Sequence, residues 1–151
     1  MNQELLIQQT TVESQALEHV TRALEVMLGW DVDHDSFTRK LLSVRFFTEL
    51  YHRHVERLFA LEEVDGYMES VARLNPRLTG QIESLHGQHE LFRTALRKIG
   101  VRLDLASPTD FEEFNATCAQ IRRTINQILE HLRREQELLV ESFNRDTGGE
   151  A

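Results

Sequence analysis

The sequence contains few residues that would interrupt a helix or cross-link the chain. Its 151 residues include seven glycines, two prolines and one cysteine. So few helix breakers favour long helices over a sandwich of many short strands. Because Cys118 is the single cysteine, it cannot form an internal disulfide, and the sequence gives no support to an oxidising compartment.

Basic residues and long apolar runs are also scarce, which excludes several classes of partner. The 17 Lys and Arg residues stand against 25 Asp and Glu residues, for a net charge of −8. The chain therefore lacks the basic footprint of proteins that bind nucleic acid or anionic lipid. It also lacks a signal-peptide pattern and the roughly 20 consecutive apolar residues of a transmembrane helix. We expect a cytoplasmic protein that binds neither nucleic acid nor membranes.

What the sequence does contain is a recurrence of apolar residues at alternating steps of three and four, the pattern of amphipathic helices. Thr10 and Glu13 form a capping-box pattern before the first helix, and Gly100 is placed to cap the third. These signals predict helices over residues 11–28, 36–62, 77–99 and 108–144 and a tail over 145–151. In the segment 63–74, Asp65-Gly66 indicates a turn, and Tyr67, Val71 and Leu74 could form a short helix. Four such helices in one domain, residues 1–151, predict an all-α antiparallel four-helix bundle.

Each of the four predicted helices carries one histidine on its apolar face. These histidines are His19, His52, His89 and His131. A buried imidazole needs partners for its nitrogens, and helix backbones in a bundle offer few because they satisfy their own hydrogen bonds. A shared metal ion is an economical partner for all four.

Two carboxylates extend this set, because Glu56 and Glu135 each follow one of the histidines by four positions on the same helix face. Nitrogen and oxygen donors of this kind suit iron, manganese or zinc and disfavour sites that need sulfur. With two ions, the carboxylates would bridge them and leave positions open for O2, NO or hydroxide. The predicted metal ligands are His19, His52, Glu56, His89, His131 and Glu135.

Three short runs resemble the hemerythrin-like (HHE cation-binding) family: HRHVERLF at 52–59, QHELF at 88–92 and HLRRE at 131–135. The resemblance spans about residues 19–143. It implies a four-helix bundle with a non-haem di-iron centre, bridged by carboxylate and by oxo or hydroxo, that binds or reacts with O2 or NO, or holds iron. The pattern His131-x-x-x-Glu135 and the single third-helix histidine are similar to the iron-centre repair members of the family.

Other functions stay open on the same residues. A ferritin-like di-iron oxidase would need Glu49 and Glu83, each three residues before a histidine, to point inward. A metal-free or zinc-stapled bundle would instead serve as an interaction module. Sensing, storage, detoxification and repair stay open as roles, as does association into a homodimer. His34 and His54 lie off the apolar stripes and are expected to face solvent.

Overall fold

In the computed structural model, which describes residues 3–63 and 67–148, the chain is all-helical, as predicted. Its α-helices are α1 (Gln3–Gly29), α2 (Phe37–Glu63), α3 (Tyr67–Leu74), α4 (Thr79–Asp104) and α5 (Phe111–Gly148). Single turns of 3-10 helix, His34–Ser36 and Pro76–Leu78, lead into α2 and α4. None of the helices in the described ranges carries an apolar stretch long enough to cross a bilayer.

The predicted bounds hold within one residue for α2 and differ at the ends of other helices. The capping box is wrong, because α1 begins at Gln3 and Thr10 lies inside it, where its hydroxyl donates to the Leu6 carbonyl oxygen. The Gly100 cap is also wrong, since α4 continues through this residue to Asp104. The short helix considered within residues 63–74 is α3.

Contacts between polar side chains set the relative directions of α1 and α2. Near the middle of both helices, His54 Nδ1 lies 2.8 Å from Glu13 Oε2. Near the connection, Lys40 Nζ donates to the Trp30 carbonyl oxygen at 2.7 Å. Residue numbers therefore rise along one helix as they fall along the other, so the two helices run in opposite directions.

The same kind of contact orders the remaining long helices. Arg45 of α2 donates to the carbonyl oxygen of Leu103 at one end of α4, and Arg93 of α4 pairs with Glu63 at the other end of α2. Between α4 and α5 the cross-helix pairs include Arg102 with Glu113 and Gln88 with His131. Because α1 also contacts α5, every long helix has two long neighbours.

The buried face of α1 is not the face that the sequence pattern indicated. Its core residues are Leu6, Leu17, Val20, Leu24 and Leu28. His19 and the apolar residues in register with it, Val12 and Val26, are exposed. Two apolar stripes lie side by side on this helix, and periodicity alone does not tell which one faces the core. The prediction that His19 lies on the buried face is therefore wrong.

The core consists of two apolar clusters at different heights along the helices. The larger cluster draws on all four long helices and includes Ile128 of α5. The smaller cluster lies against α3 and includes Met68 and Leu138. On α5, His131 and Glu135 fall between Ile128 and Leu138, so a buried polar layer separates the two clusters.

Candidate metal centre

Four buried side chains from three helices meet in this polar layer. Glu62 comes from the last turn of α2, His89 from α4, and His131 and Glu135 from α5. Each offers one donor atom, and these atoms all lie within 4.8 Å of one another. This group, called the Glu–His–His–Glu group below, could hold a metal ion.

The distances within the group match the coordination shell of a single ion. His89 Nε2 lies 3.1 Å from His131 Nε2, 3.3 Å from Glu135 Oε1 and 3.2 Å from Glu62 Oε2. His131 Nε2 is also in close contact with Glu135 Oε1. Metal–donor bonds of roughly 2.0–2.2 Å place neighbouring donors about 3 Å apart around one ion. The group is therefore close to the spacing that one ion requires.

Contacts on the outer side of each imidazole direct its Nε2 atom into the group. His89 Nδ1 donates to Glu63 Oε1 at 2.9 Å, and His131 Nδ1 donates to Gln88 Oε1 at 2.7 Å. With Nδ1 protonated in this way, Nε2 is the nitrogen available to an ion. Metal-binding histidines almost always have such a partner, which holds the tautomer and the ring orientation.

Arg93 holds the carboxylate that orients His89. Its Nη1 and Nη2 atoms donate to the two oxygens of Glu63 at 2.8 and 2.9 Å, and its Nε donates to Glu56 at 3.2 Å. The hydrogen bonds from Arg93 lower the pKa of Glu63 below its ordinary value. Glu63 therefore stays charged while it accepts the proton of His89 Nδ1.

Aromatic rings cover the apolar side of the group. Phe59 stacks on His89 with ring centroids 3.9 Å apart and planes 7° from parallel. Phe92 meets the His131 ring edge-on at 5.3 Å. The guanidinium of Arg93 lies 5.6 Å from the centre of the Phe59 ring, on the way out to solvent. These rings fix the imidazoles and reduce the dielectric constant around the group, which strengthens every charge interaction inside it.

Without a metal, protons must balance the excess of acceptors in the group. Burial raises the pKa of Glu62 to about 8. Burial opposes the charge on His89, but the interactions with the carboxyl groups of Glu135, Glu62 and Glu63 outweigh it and raise the His89 pKa to about 10. Burial also opposes the charge on Glu135, yet hydrogen bonds from both histidines lower its pKa to about 2. At neutral pH the metal-free group therefore carries protons on Glu62 and His89.

One oxygen stays unsatisfied even so. Within residues 3–63 and 67–148, the buried Glu62 Oε2 has no hydrogen-bond partner, although His89 Nε2 is 3.2 Å away. An unpaired buried acceptor costs about 1–3 kcal/mol, and more when it is charged. A cation among the four donors would satisfy this oxygen, and two nitrogens with two carboxylates suit iron, manganese or zinc. The residues present therefore fit a metal.

Three of the six predicted ligands belong to the Glu–His–His–Glu group: His89, His131 and Glu135. The predicted pair on α2 does not. His52 Nε2 lies 3.5 Å from Glu56 Oε1, and both side chains are partly exposed. Glu56 is also bound by Arg93, so this pair forms part of the charged surface beside the group.

His19 is also outside the group, and the register of α1 against α2 explains why. From the His54–Glu13 contact, Glu62 lies eight residues along α2, whereas His19 lies six residues along α1 towards the opposite end. At about 1.5 Å per residue the two differ in height by about 20 Å. No rotamer of His19 spans that distance.

Sequence reasoning missed Glu62, although a signal for it was present. The stripe of α2 advances in steps of three and four to Phe59, and the next step of three is Glu62. A glutamate that continues an apolar stripe is a candidate for a buried functional carboxylate. The same stripe passes through Tyr51, which is buried where His52 had been expected.

The solvent exposure of four further side chains decides two predictions made from the sequence. His34 faces solvent as predicted, whereas the prediction for His54 is wrong because its side chain is largely buried against Glu13. Glu49 and Glu83 are both exposed. The inward-facing carboxylates that the ferritin-like alternative needs at these positions are therefore not there.

Comparison with known proteins does not identify the chain: no family model, no curated protein and no solved structure matches it. The hemerythrin-like resemblance accordingly stays a prediction.

Proposed function

We propose that this is a metal-binding protein in which the four long helices form an antiparallel four-helix bundle around a transition-metal ion. The ligands are Glu62, His89, His131 and Glu135. Iron is the first choice for the ion, with manganese or zinc as alternatives that the same donors accept. The antiparallel contacts between successive long helices support the bundle.

The observation that carries the proposal is the convergence of two oriented imidazoles and two carboxylates on one buried point. The Nδ1 atoms of His89 and His131 donate hydrogen bonds to Glu63 and Gln88, so the Nε2 atoms of both rings face the carboxylates. A group of acceptors in a dry interior is costly unless a cation neutralises it. Purely structural packing would not need this arrangement, since apolar residues could fill the layer between the two core clusters.

The spacing supports one ion for these four donors. A two-ion centre, as the hemerythrin-like resemblance implies, would need donors beyond the group. When bound, a redox-active ion with four protein donors would supply open coordination positions for a small ligand such as O2 or NO. Phe59 and Phe92 would keep bulk water from that position, while Glu63 and Gln88 hold the imidazoles in place.

Metal analysis tests the proposal directly. Protein purified anaerobically without chelators is assayed for bound metal, then titrated with Fe(II), Mn(II) and Zn(II). We expect one ion per chain, lost in His131→Ala, bound more weakly by Glu62→Gln and retained in the matched variants His19→Ala and Glu49→Gln. Circular dichroism of each variant shows that the helices persist.

The outcomes separate the alternatives. An end point of two ions per chain would support the di-iron form of the resemblance. Failure to bind any of the three metals, or binding by His131→Ala as tight as by His19→Ala, would contradict the proposal and leave the metal-free interaction module. Exposure of the iron-loaded protein to NO, followed by absorption spectroscopy, then tests whether a coordination position is open.

A further inference from the structure

His86 of α4 carries a buried nitrogen that nothing in the described parts of the chain satisfies. Its ring is half-buried, and its Nε2 atom is shielded from solvent without a hydrogen-bond partner within residues 3–63 and 67–148. Native proteins leave few buried polar atoms unpaired, because each one costs free energy. A nitrogen held in this way is a candidate for binding a ligand.

The unpaired nitrogen belongs to a ring that lies beside the Glu–His–His–Glu group. The rings of His86 and His89 have centroids 5.5 Å apart and planes 31° from parallel. Burial, followed by the charge on His89, lowers the pKa of His86, whereas the charge on Glu135 raises it. The ring of His86 therefore lies within electrostatic reach of two of the four proposed metal ligands.

His86 is next to the group without being a member of it. In the part of the chain that the structure describes, the donor atoms within 4.8 Å of one another come from Glu62, His89, His131 and Glu135. A nitrogen just outside this shell can contact a small molecule bound to the ion. With a metal–ligand bond of about 2 Å and a hydrogen bond of about 2.9 Å, such a nitrogen lies roughly 4–5 Å from the ion.

The two sides of the group differ in the atoms that they offer to a small ligand. Along α4, Phe92 lies one turn beyond His89 and His86 lies one turn before it. Phe59 and Phe92 belong to the larger apolar cluster, whereas Leu85, the neighbour of His86, belongs to the smaller one. Phenyl rings therefore close the side towards the larger cluster, and the side of His86 offers a polar atom.

The Nε2 atom of His86 can donate a hydrogen bond in either charge state. Neutral histidine carries its hydrogen on one of the two ring nitrogens, and charged histidine carries one on each. Such a bond becomes stronger as negative charge builds up on the acceptor. A diatomic ligand that draws electrons from a reduced ion becomes an acceptor of this kind, and donors beside haem iron influence ligand binding in the same way.

We propose that His86 is a ligand-binding residue that donates a hydrogen bond from Nε2 to a small ligand held at an open coordination position of the metal. The ligand class is a diatomic molecule whose outer atom accepts a hydrogen bond, as in NO and O2. The inference rests on the proposed function, because without an ion the group has no position for such a ligand.

Release of NO from the Fe(II)-loaded full chain tests the proposal, once bound iron has been measured in each variant. His86→Leu removes the donor, so we expect it to bind iron as tightly as the wild type and to release NO about 10-fold faster. His86→Gln keeps an N–H donor on its side-chain amide and should restore most of the wild-type rate. The matched control, His19→Leu on an exposed histidine, should release NO at the wild-type rate.

Infrared spectroscopy of bound NO adds a measurement that loss of packing alone would not change. A hydrogen bond to the outer atom alters the N–O stretching frequency. The band should therefore shift in His86→Leu, return towards the wild-type position in His86→Gln and stay unchanged in His19→Leu. Circular dichroism of each variant shows that the helices persist, and His86→Gln keeps the test valid if His86→Leu fails to fold.

The outcomes distinguish this inference from the proposed function. A wild type that binds no metal would overturn both. Iron binding without NO binding, or NO release and an N–O band that His86→Leu leaves unchanged, would overturn the role of His86 alone. Loss of iron in both His86→Leu and His86→Gln would also overturn it, because His86 would then act on the metal ligands themselves. An equal change in His19→Leu would show that the effect is not specific and would contradict the proposal.

Discussion

Loading the Glu–His–His–Glu group with a divalent metal should release about two protons per ion at pH 7. In the metal-free protein burial raises the pKa of Glu62 to about 8, and the carboxyl groups of three neighbouring glutamates, acting against burial, raise that of His89 to about 10. Both must lose their protons to become ligands. Glu135, with a pKa lowered to about 2, is already charged and contributes none.

The magnitude follows from these values. At pH 7 a group with a pKa of 8 is roughly nine-tenths protonated, and one with a pKa of 10 is almost fully protonated. Because two protons compete with each ion, the apparent Kd should fall about 100-fold for each rise of one pH unit between pH 6 and 7.5.

The same raised pKa values determine how the stability of the metal-free protein depends on pH. Glu62 and His89 bind protons more tightly in the folded than in the unfolded chain, so each contributes stability that is complete below its ordinary pKa. That contribution falls by at most about 1.4 kcal/mol per pH unit. It is lost between about pH 4.5 and 8 for Glu62 and between about pH 6.5 and 10 for His89. Metal-free protein should therefore lose stability from pH 5 to 8, and added metal should restore it.

Titration calorimetry in buffers of different ionisation enthalpy counts the released protons. Glu62→Gln should reduce the count by about one, because the amide has no proton to lose, and it should weaken binding as well. Glu83→Gln, on an exposed residue of α4, is the matched control and should leave the count near two. Proton release near zero, or a count that Glu62→Gln does not change, would refute the assignment of these protons.

Two further substitutions test the surroundings of the group and the packing of α1. Glu63→Gln keeps an acceptor for His89 Nδ1 but removes its charge, so metal affinity measured by chelator competition should fall about 10- to 100-fold. The matched change Glu90→Gln should leave affinity unaltered, and equal effects would argue against a specific role for Glu63. Leu24→Ala opens a cavity in the core and should lower the free energy of unfolding in urea by about 2–5 kcal/mol. Leu91→Ala, at a residue 70% exposed, should change it by less than about 0.5 kcal/mol; similar losses would contradict the packing of α1.

Helices could be predicted from the sequence because their signals are local. The stripe of α2 and the near absence of helix breakers place it within one residue of its observed bounds. The predicted caps at Thr10 and Gly100 are wrong because both residues are also tolerated inside a helix. A local signal of this kind does not show whether the helix stops there or continues.

The face of a helix that points inward is harder to predict when the helix has two apolar stripes. On α1, the stripe containing Val12 and Val26 and the stripe containing Leu17 and Leu24 are both regular. The structure buries the second stripe because its larger leucines fill the space against α2 and α5. The prediction that His19 lies on the buried side of the helix is therefore wrong.

For the candidate metal ligands too, the sequence predicts the contacts within one helix but not the contacts between helices. His131 and Glu135 lie together because residues four apart share a face of an α-helix. Their proximity can therefore be predicted from the sequence alone. That Glu62 and His89 join them, while His52 stays outside, depends on the relative rotation and height of α2, α4 and α5. Those are set by how large side chains such as Phe59 interlock across helices, and no single helix contains that information.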